Sequence, residues 1–519
     1  MPARRSSIAS LCLLAALVVS MTGASPTPAR AEGHTRERQV ERIEAHVSEG
    51  LRANRVPGAA LAVVDHGGDV HLRGFGVTGR GDAVTPDTPF VIGSVSKSMT
   101  ALAVLQLVED GLVGLDDPIA HHLDGFEVRP SAWAQLITVR RLLEQTSGLP
   151  PLAGGPATTW MLDVPIAEAA RYVNGTELVS EPGTMWQYTN ANYVLLGALI
   201  EEVTGRPYAD HLRERLFGPL GMTRTTARLE AARALGLADG HRYILGVPVA
   251  NLSYHEGLVP SGLVVSTAHD LGRYLQALLQ GGELHGTRVL SAAGVDALFA
   301  PAAAATLGPW AKQPDASYGF GWFVGGTPFG PAPVVFHPGA TPDFGATAAL
   351  DPSEDSALIL LVNVGPRVAV PGAAGDIDRI GAGAVSLLTG SEPMTAGSVI
   401  DAYRIATPVM VLVTLLALAL AVRRPVPARR TRQLTTIAVT CAGLVLLALP
   451  TLGLGWRQNW LWAPDLTGFA GLAGSAFTVS GARGLLALRR QPRVTDAPTS
   501  TPTRPISPDA RPLLRPGRG

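Results

Sequence analysis

Ile92-Gly93-Ser94-Val95-Ser96-Lys97-Ser98-Met99-Thr100 sets a serine three residues before a lysine, where an extended apolar segment gives way to a helical pattern. Lysine is scarce in this chain. Lys97 and Lys312 are the only two, and arginine supplies nearly all the remaining positive charge. A position that keeps an amine against this background calls for a group able to release its proton, which a desolvated ammonium can do and a guanidinium cannot. With 26 serines in 519 residues, roughly 0.1 Ser-x-x-Lys pairs are expected by accident. Downstream, Met99, Leu102, Ala103, Leu105 and Val108 recur at helical spacing until Gly111 ends the run. Ser94 then lies near the exposed N–H groups and positive dipole end of a helix, with Lys97 one turn on along the same face. That is the geometry of a nucleophilic serine with an adjacent amine.

Outward from this stretch, residues 38–390 read as one continuous globular domain. A helix is expected near Glu37–Ala53, followed by strands Ala59–Val64 and Val70–Gly76 joined at His66-Gly67-Gly68. Helical spacing returns at Val139–Glu144, Ile166–Tyr172, Asn192–Thr204, Tyr208–Leu216 and Ala268–Leu279. The domain closes on strand-like runs at Tyr318–Val324, Val334–Phe336, Phe344–Asp351 and Ala357–Val364, then a helix at Asp376–Leu388. Strands at both ends with helices between predict an α+β fold. Its antiparallel sheet is completed by the N- and C-terminal segments and packed with helices, with a helical subdomain inserted in the middle.

Beyond the domain the composition changes. The whole chain is 46% hydrophobic with mean hydropathy +0.22, and the apolar residues concentrate at its two ends. Residues 1–31 have a basic start at Arg4 and Arg5, an apolar stretch from Ile8 to Met21, and Ala29-Arg30-Ala31 as a small-residue cleavage site. This reads as a secretory signal. After a linker at 391–404, three apolar runs, Ile405–Val422, Leu434–Leu454 and Leu466–Ala482, are expected to be transmembrane helices within 405–488. Arg423, Arg424, Arg429, Arg430 and Arg432 follow the first run, and Arg483, Arg489, Arg490 and Arg493 the third, which puts both basic segments in the cytoplasm. Trp456, Trp460 and Trp462 then form an outer interfacial belt. The expectation is a domain held outside the cell membrane, touching lipid through its helices, with a disordered basic tail at 489–519 in the cytoplasm. Basic and acidic residues balance at 42 each, so nothing points to a nucleic-acid partner. The two cysteines, Cys12 and Cys441, lie in the apolar ends and leave the exported domain without a disulfide.

Two further stretches could complete a site. Glu181-Pro182-Gly183-Thr184-Met185-Trp186-Gln187-Tyr188-Thr189-Asn190 ends a loop with Tyr188 and Asn190 free to point to one side, a phenol able to share a proton and an amide able to hold a carbonyl or the lysine. Val335-Phe336-His337-Pro338-Gly339-Ala340 places a histidine on a strand and then a glycine that permits close backbone approach, presenting the N–H of Ala340 to an oxyanion.

In order and spread, Ser94/Lys97, Tyr188/Asn190 and His337/Gly339 resemble the three motifs of the penicillin-recognising serine hydrolases, in the branch with class C β-lactamases, serine esterases and D,D- and D-amino-acid peptidases. Ile137–Leu149, Pro260–Leu271 and Tyr318-Gly319-Phe320-Gly321-Trp322 look alike too, so the resemblance covers roughly residues 40–388. It implies a β-lactamase/penicillin-binding-protein-like fold and an acyl-enzyme on Ser94. Lys97 and Tyr188 together would move the proton, the N–H groups of Ser94 and Ala340 would form the oxyanion hole, and Asn190, His337 and Gly339 would bind substrate. Which of Lys97 and Tyr188 is the base stays open. The third motif departs from the family: Pro338 has no side-chain donor, and His337 is expected to be only partly charged near neutral pH. An ester or a peptide without a carboxylate is then as good a substrate as a penicillin or a D-Ala-D-Ala peptide, and the substrate could be derived from the cell wall.

Other signals fail on context. Gly74-Phe75-Gly76-Val77-Thr78-Gly79 fits a dinucleotide fingerprint, but Arg80-Gly81-Asp82 and Pro86 announce a turn rather than a helix. No G-x-S-x-G elbow is present, and the scattered histidines have no H-E-x-x-H or cysteine partner, so neither cofactor nor metal is expected. The alternative to an enzyme is a cell-envelope binding or sensor protein whose serine acylates weakly or not at all. A binding module has no need of both S-x-x-K and Y-x-N.

Overall fold

In the computed structural model, the structure describes residues 28–65, 68–159, 162–304, 316–327, 330–367, 376–393, 402–422, 430–448 and 455–489. Most of the expected signal, the turn at 66–67, most of the linker, the basic loop at 423–429 and the tail from 490 onward lie outside these residues.

The described chain divides into two units, residues 1–412 with 449–469, and residues 413–448 with 470–519. The first is built on one eight-stranded antiparallel sheet. Its strands are β1 (Gly58–Val64), β2 (Val70–Gly76), β3 (Ala303–Ala304), β4 (Ser317–Tyr318), β5 (Phe323–Thr327), β6 (Gly330–Ala340), β7 (Gly345–Asp351) and β8 (Ser356–Val362), in the order β3-β4-β5-β6-β7-β8-β1-β2. The N-terminal hairpin is thus sewn onto the C-terminal strands, Leu61 opposite Leu360 and Ala62 opposite Ile359.

β1 and β8 are buried along their whole length, which explains why both read as unbroken apolar runs: each face of the sheet is covered. One set of alternate residues, Leu61, Val63, Leu358 and Leu360, packs beneath α1 (Pro28–Asn54) and α5 (Asp376–Leu388) with Ile43, Val47, Ile380 and Val385. The other set, Ala60, Ala62, Ile359 and Leu361, faces the main core with α2 (Ser96–Glu109), α3 (Asn190–Thr204) and α4 (Ala268–Leu279). Small residues set the spacing of α5. A Cβ on Gly381 would meet Thr347 Oγ1 at 2.0 Å, and one on Gly383 would meet His46 Nε2 at 2.2 Å.

The expected strand Tyr318–Val324 is corrected: it breaks into β4 and β5 around Gly319–Trp322. Gly321 adopts φ +77° there, and a Cβ on it would press within 2.8 Å of the Lys97 carbonyl. The strand expected at Val334–Phe336 runs longer, from Gly330 to Ala340. A hairpin at His241–Ala250 and short helices at Leu229–Ala234 and Ala292–Phe299 are additions.

The expected membrane runs fall on helices α6 (Ala402–Val422), α7 (Arg430–Ala448) and α8 (Pro464–Arg489), with the end of the second run, 449–454, outside the described residues. Among the described residues one helix is long and apolar enough to cross a membrane, at Ile405–Val422 with mean hydropathy 2.6. Within the second unit, Ala417, Ala473, Ala476 and Phe477 form a small core. A Cβ on Gly443 would meet the Gly474 carbonyl at 2.8 Å, so glycine lets those helices touch at the backbone.

Candidate active site

Ser94 sits in a 3-10 turn, Gly93–Val95, that runs straight into α2. Three ties hold the turn. Ile92 N–H donates to the Val264 carbonyl at 3.0 Å, Ser96 Oγ donates to the Gly93 carbonyl at 2.8 Å, and Val264 N–H donates to Ser96 Oγ at 3.1 Å. Gly93 has φ +56°, and a Cβ there would lie 2.5 Å from Ala340 N; a Cβ on Gly339 would lie 2.2 Å from the Ile92 carbonyl. These two glycines allow β6 to lie against the nucleophile turn backbone to backbone, which brings the Ala340 N–H beside the residue that carries the hydroxyl.

Lys97 is fully buried in the first turn of α2. Its Nζ reaches Ser94 Oγ at 3.1 Å, Asn190 Oδ1 at 2.9 Å and the Ser261 carbonyl at 2.5 Å, and it lies 4.9 Å above the centre of the Tyr188 ring. Burial holds its pKa well below the ordinary lysine value. Asn190 and Ser261 present oxygens that only accept, so each requires an N–H, whereas Ser94 Oγ can either donate or accept. A neutral amine meets this arrangement by giving its two N–H groups to the carbonyls and turning its lone pair toward the serine.

Tyr188 and Asn190 flank Thr189, which caps α3 with its side chain by accepting from Ala191 N–H. Burial, the larger influence, raises the Tyr188 pKa above the ordinary tyrosine range against the opposing pull of Ser94, and keeps the phenol protonated. Gln145 props this segment. Its Oε1 accepts from Thr189 N–H at 3.0 Å and from Asn192 Nδ2 at 2.6 Å, and its own carbonyl accepts from Gln187 N–H at 2.7 Å. Gln145 does this from φ +62°, a left-handed conformation in a fully buried non-glycine residue. Such strain gathers at sites that the surroundings over-determine.

His337 stands on β6 within an aromatic cluster, its ring centre 6.3 Å from Tyr188, 6.0 Å from Tyr318 and 5.2 Å from Phe323. It is 1% exposed, with Nδ1 at 2.7 Å from the Pro338 carbonyl and Nε2 at 3.3 Å from the Tyr318 hydroxyl. Partial charge near neutral pH, the expectation from its type, is corrected: burial first and Lys97 second push its pKa down to about 3, so the imidazole is neutral.

The structure therefore gathers Ser94, Lys97, Tyr188 and Asn190 in direct contact, brings Gly339 and Ala340 against their turn, and holds His337 in the wall behind Tyr188. Sequence reasoning missed Ser261, whose carbonyl holds the lysine, and the separate tasks of Gln145, Tyr318 and Gly321, although all lie in stretches singled out as family-like. The positive φ of Gln145 and the backbone contacts carry no side-chain signature in sequence. Among the described residues no group of histidine, cysteine and carboxylate side chains could hold a metal ion.

A family model described as beta-lactamase matches residues 43–382. Penicillin-binding protein 4 of Amycolatopsis lactamdurans is 38% identical over 283 residues, covering 52% of this chain and 71% of that protein. Protein flp of Staphylococcus aureus is 25% identical over 441 residues, covering 81% of this chain and 84% of its own length. Among solved structures, the octameric penicillin-binding protein homologue from Pyrococcus abyssi aligns with a TM-score of 0.60 at 26% identity, over 72% of this chain and 82% of that one. A D-stereospecific amidohydrolase from Streptomyces sp. shares the fold at a TM-score of 0.50 and 24% identity, over 62% and 94% of the two chains.

Proposed function

The chain belongs to the beta-lactamase family of penicillin-recognising serine hydrolases, and from that premise we propose that it hydrolyses an ester, amide or peptide bond through an acyl-enzyme on Ser94. The observation that carries the reading is the buried Lys97, whose nitrogen reaches Ser94 Oγ while Asn190 and Ser261 occupy its other directions.

Neutral Lys97 takes the Ser94 proton as Oγ attacks the substrate carbonyl, and the oxyanion forms against the N–H groups of Ser94 and Ala340. The protonated Tyr188 phenol, whose ring centre lies 4.9 Å from Lys97 Nζ, is placed to pass a proton onward to the leaving group. Water then attacks the acyl-enzyme by the reverse relay. Asn190 positions both the lysine and the substrate carbonyl. A neutral His337 and the prolyl Pro338 leave this stretch of β6 without a cation or a hydroxyl, which favours acyl groups that carry no carboxylate there.

The hydrolase domain is proposed to lie outside the cell membrane, exported by residues 1–31 and anchored by three spans, with 489–519 in the cytoplasm. The exposed leucines of the first span support this: Leu412, Leu415 and Leu416 are 68%, 59% and 55% exposed, a surface suited to lipid rather than water.

A fluorophosphonate probe on the full chain tests the chemistry. We expect one adduct, on Ser94, absent in Ser94→Ala, and in Lys97→Arg slowed by about 10²- to 10⁴-fold although the charge is kept, because arginine stays protonated. Labelling of Lys97→Arg at the wild-type rate would contradict the assigned base.

A further inference from the structure

The hairpin His241–Ala250 turns its apolar side outward. Ile244 pairs with Val247 and Arg242 with Val249 across the two strands, so these four share one face, and Tyr243 and Pro248 share the other. The Tyr243 face is the inner one: its hydroxyl donates to the Asn54 carbonyl at 2.6 Å and its ring stacks 4.1 Å from the Arg367 guanidinium. On the outer face Ile244, Val247 and Val249 are 36%, 49% and 41% exposed, with Leu252 just beyond at 37%. Arg242, the one charge there, is drawn away by an ion pair with buried Asp343 at 3.3 Å. Antiparallel ribbons that face water alternate apolar-in and polar-out, and this one is reversed.

Its tip makes the same point through the backbone. Leu245 and Gly246 form a two-residue turn with φ +53° and +75°. Such turns favour asparagine, aspartate or glycine in the first place, and a left-handed leucine is sterically costly. Leu245 accepts that cost and leaves its side chain 51% exposed. A contrasting two-residue hairpin, Glu283–Arg288, turns at His285-Gly286 and shows water polar residues, His285, Thr287 and Arg288.

The tip is fastened to the elements that flank the apolar helices. Leu245 N–H donates to Asp465 Oδ2 at 2.8 Å, Gly246 N–H donates to the Tyr403 hydroxyl at 3.2 Å, and that hydroxyl donates to Asp465. Tyr403 lies two residues before the apolar stretch Ile405–Val422, and Asp465 lies in the first turn of α8, shortly after the helix Gly455–Trp462 with its three tryptophans. Tryptophans at the end of a span mark the interfacial layer of a bilayer.

We propose that Ile244, Leu245, Val247 and Val249 seat in the interfacial layer of the outer phospholipid leaflet, making the hairpin a second, non-spanning membrane contact for the hydrolase domain. The inference rests on the membrane-anchored reading above. At its base the hairpin is rigid: Asp343 accepts from Asn251 Nδ2 and Ser253 N–H at 2.6 Å each, besides pairing with Arg242. Asp343 is three residues past Ala340, so a hairpin held in lipid would fix the end of β6, and with it the site, at one height above the membrane.

The test uses the full chain with Cys12 and Cys441 changed to serine and one new cysteine, Leu245→Cys, Val247→Cys or, as control, His285→Cys, labelled with a polarity-sensitive fluorophore. Each is placed in phosphatidylglycerol/phosphatidylethanolamine vesicles containing lipid spin-labelled near the headgroup, and fluorophosphonate labelling of Ser94 verifies the fold. The probes at 245 and 247 should shift to the blue and be quenched at least about twofold more than the probe at 285. Quenching equal to that at 285, in protein that still floats with the vesicles, overturns the hairpin contact and leaves the anchor standing. Blue-shifted emission without lipid quenching, the mark of a second copy covering the hairpin, overturns it as well. Protein that does not float overturns both readings.

Discussion

A lysine beside a serine is useful only when its proton can leave, and at position 97 this is decided by what the nitrogen meets. Two of its three partners are acceptors without a hydrogen, and the third is the hydroxyl to be activated. His337 belongs to the same balance, since a cation there would face Lys97 across a buried cluster. Its pKa falls from the ordinary histidine value of 6.5 to about 3 in the folded chain. The unfolded state therefore binds more protons between these values, so this histidine's contribution to stability is present above pH 6.5 and is lost as the pH falls toward 3. Between about pH 6 and pH 4, unfolding free energy should fall by about 1.4 kcal/mol per pH unit more in the wild type than in His337→Gln. Parallel denaturation curves of the two proteins across that range would refute the buried neutral imidazole. At this scale the sequence disclosed the side chains that the structure gathers around Lys97, because the scarcity of lysine made position 97 conspicuous and a phenol and an amide followed at fixed spacing. It could not disclose the Ser261 carbonyl, because every residue has a carbonyl and only the fold selects one. The charge of His337 was misjudged for a related reason: residue type sets the starting pKa, but burial sets the shift.

Between elements, the decisive contact is β6 against the Gly93–Val95 turn, where backbone meets backbone. Adding one methyl group tests it. In Gly339→Ala the new carbon would stand 2.2 Å from the Ile92 carbonyl, so strand and turn must part and the Ala340 N–H must move away from the oxyanion position. Losing one such donor slows acylation by about 10²- to 10³-fold. Gly381→Ala is the matched control, forcing a 2.0 Å contact with Thr347 on the far side of the sheet. Both variants should lower the thermal midpoint, but only Gly339→Ala should slow labelling of Ser94 at saturating probe; equal slowing in the two would assign the effect to general destabilisation. The periodic elements were legible because sheet and helix each leave a repeat in the apolar residues, and Ala268–Leu279 and Asp376–Leu388 fall where the pattern put them. Tyr318–Val324 misled because Gly321 breaks the strand in order to pack on Lys97, a tertiary demand with no local period. The hairpin His241–Ala250 escaped notice for another reason: its outer face is apolar, so the alternation that marks a half-exposed strand is missing.

For the whole molecule, the proposed membrane attachment is carried by the apolar C-terminal helices. Among the described residues only Ile405–Val422 passes on length and hydropathy alone, and the proposal that α7 and α8 also span rests on their exposed apolar side chains. Leu444 and Val445 on α7 are 53% and 57% exposed, as are Leu472 and Val479 on α8 at 57% and 52%, while the contact between the two helices is made by glycine. In a water-soluble bundle this distribution would be inverted, with leucine inside and charge outside. In the proposed topology arginine sets the direction: the clusters after the first and third runs would hold those segments in the cytoplasm, and the tryptophan-bearing segment between the second and third, with no comparable cluster, would be left outside. Reporter fusions after residues 428 and 500 should therefore be active as cytoplasmic reporters and a fusion after residue 460 as an external one. A single-span chain would give the same result at 428 but place 460 and 500 together in the cytoplasm, so the fusion at 460 separates the two arrangements. Replacing Arg423, Arg424, Arg429, Arg430 and Arg432 with asparagine should weaken the cytoplasmic signal at 428. If that signal is unchanged, the export signal rather than the positive charge orients the first span.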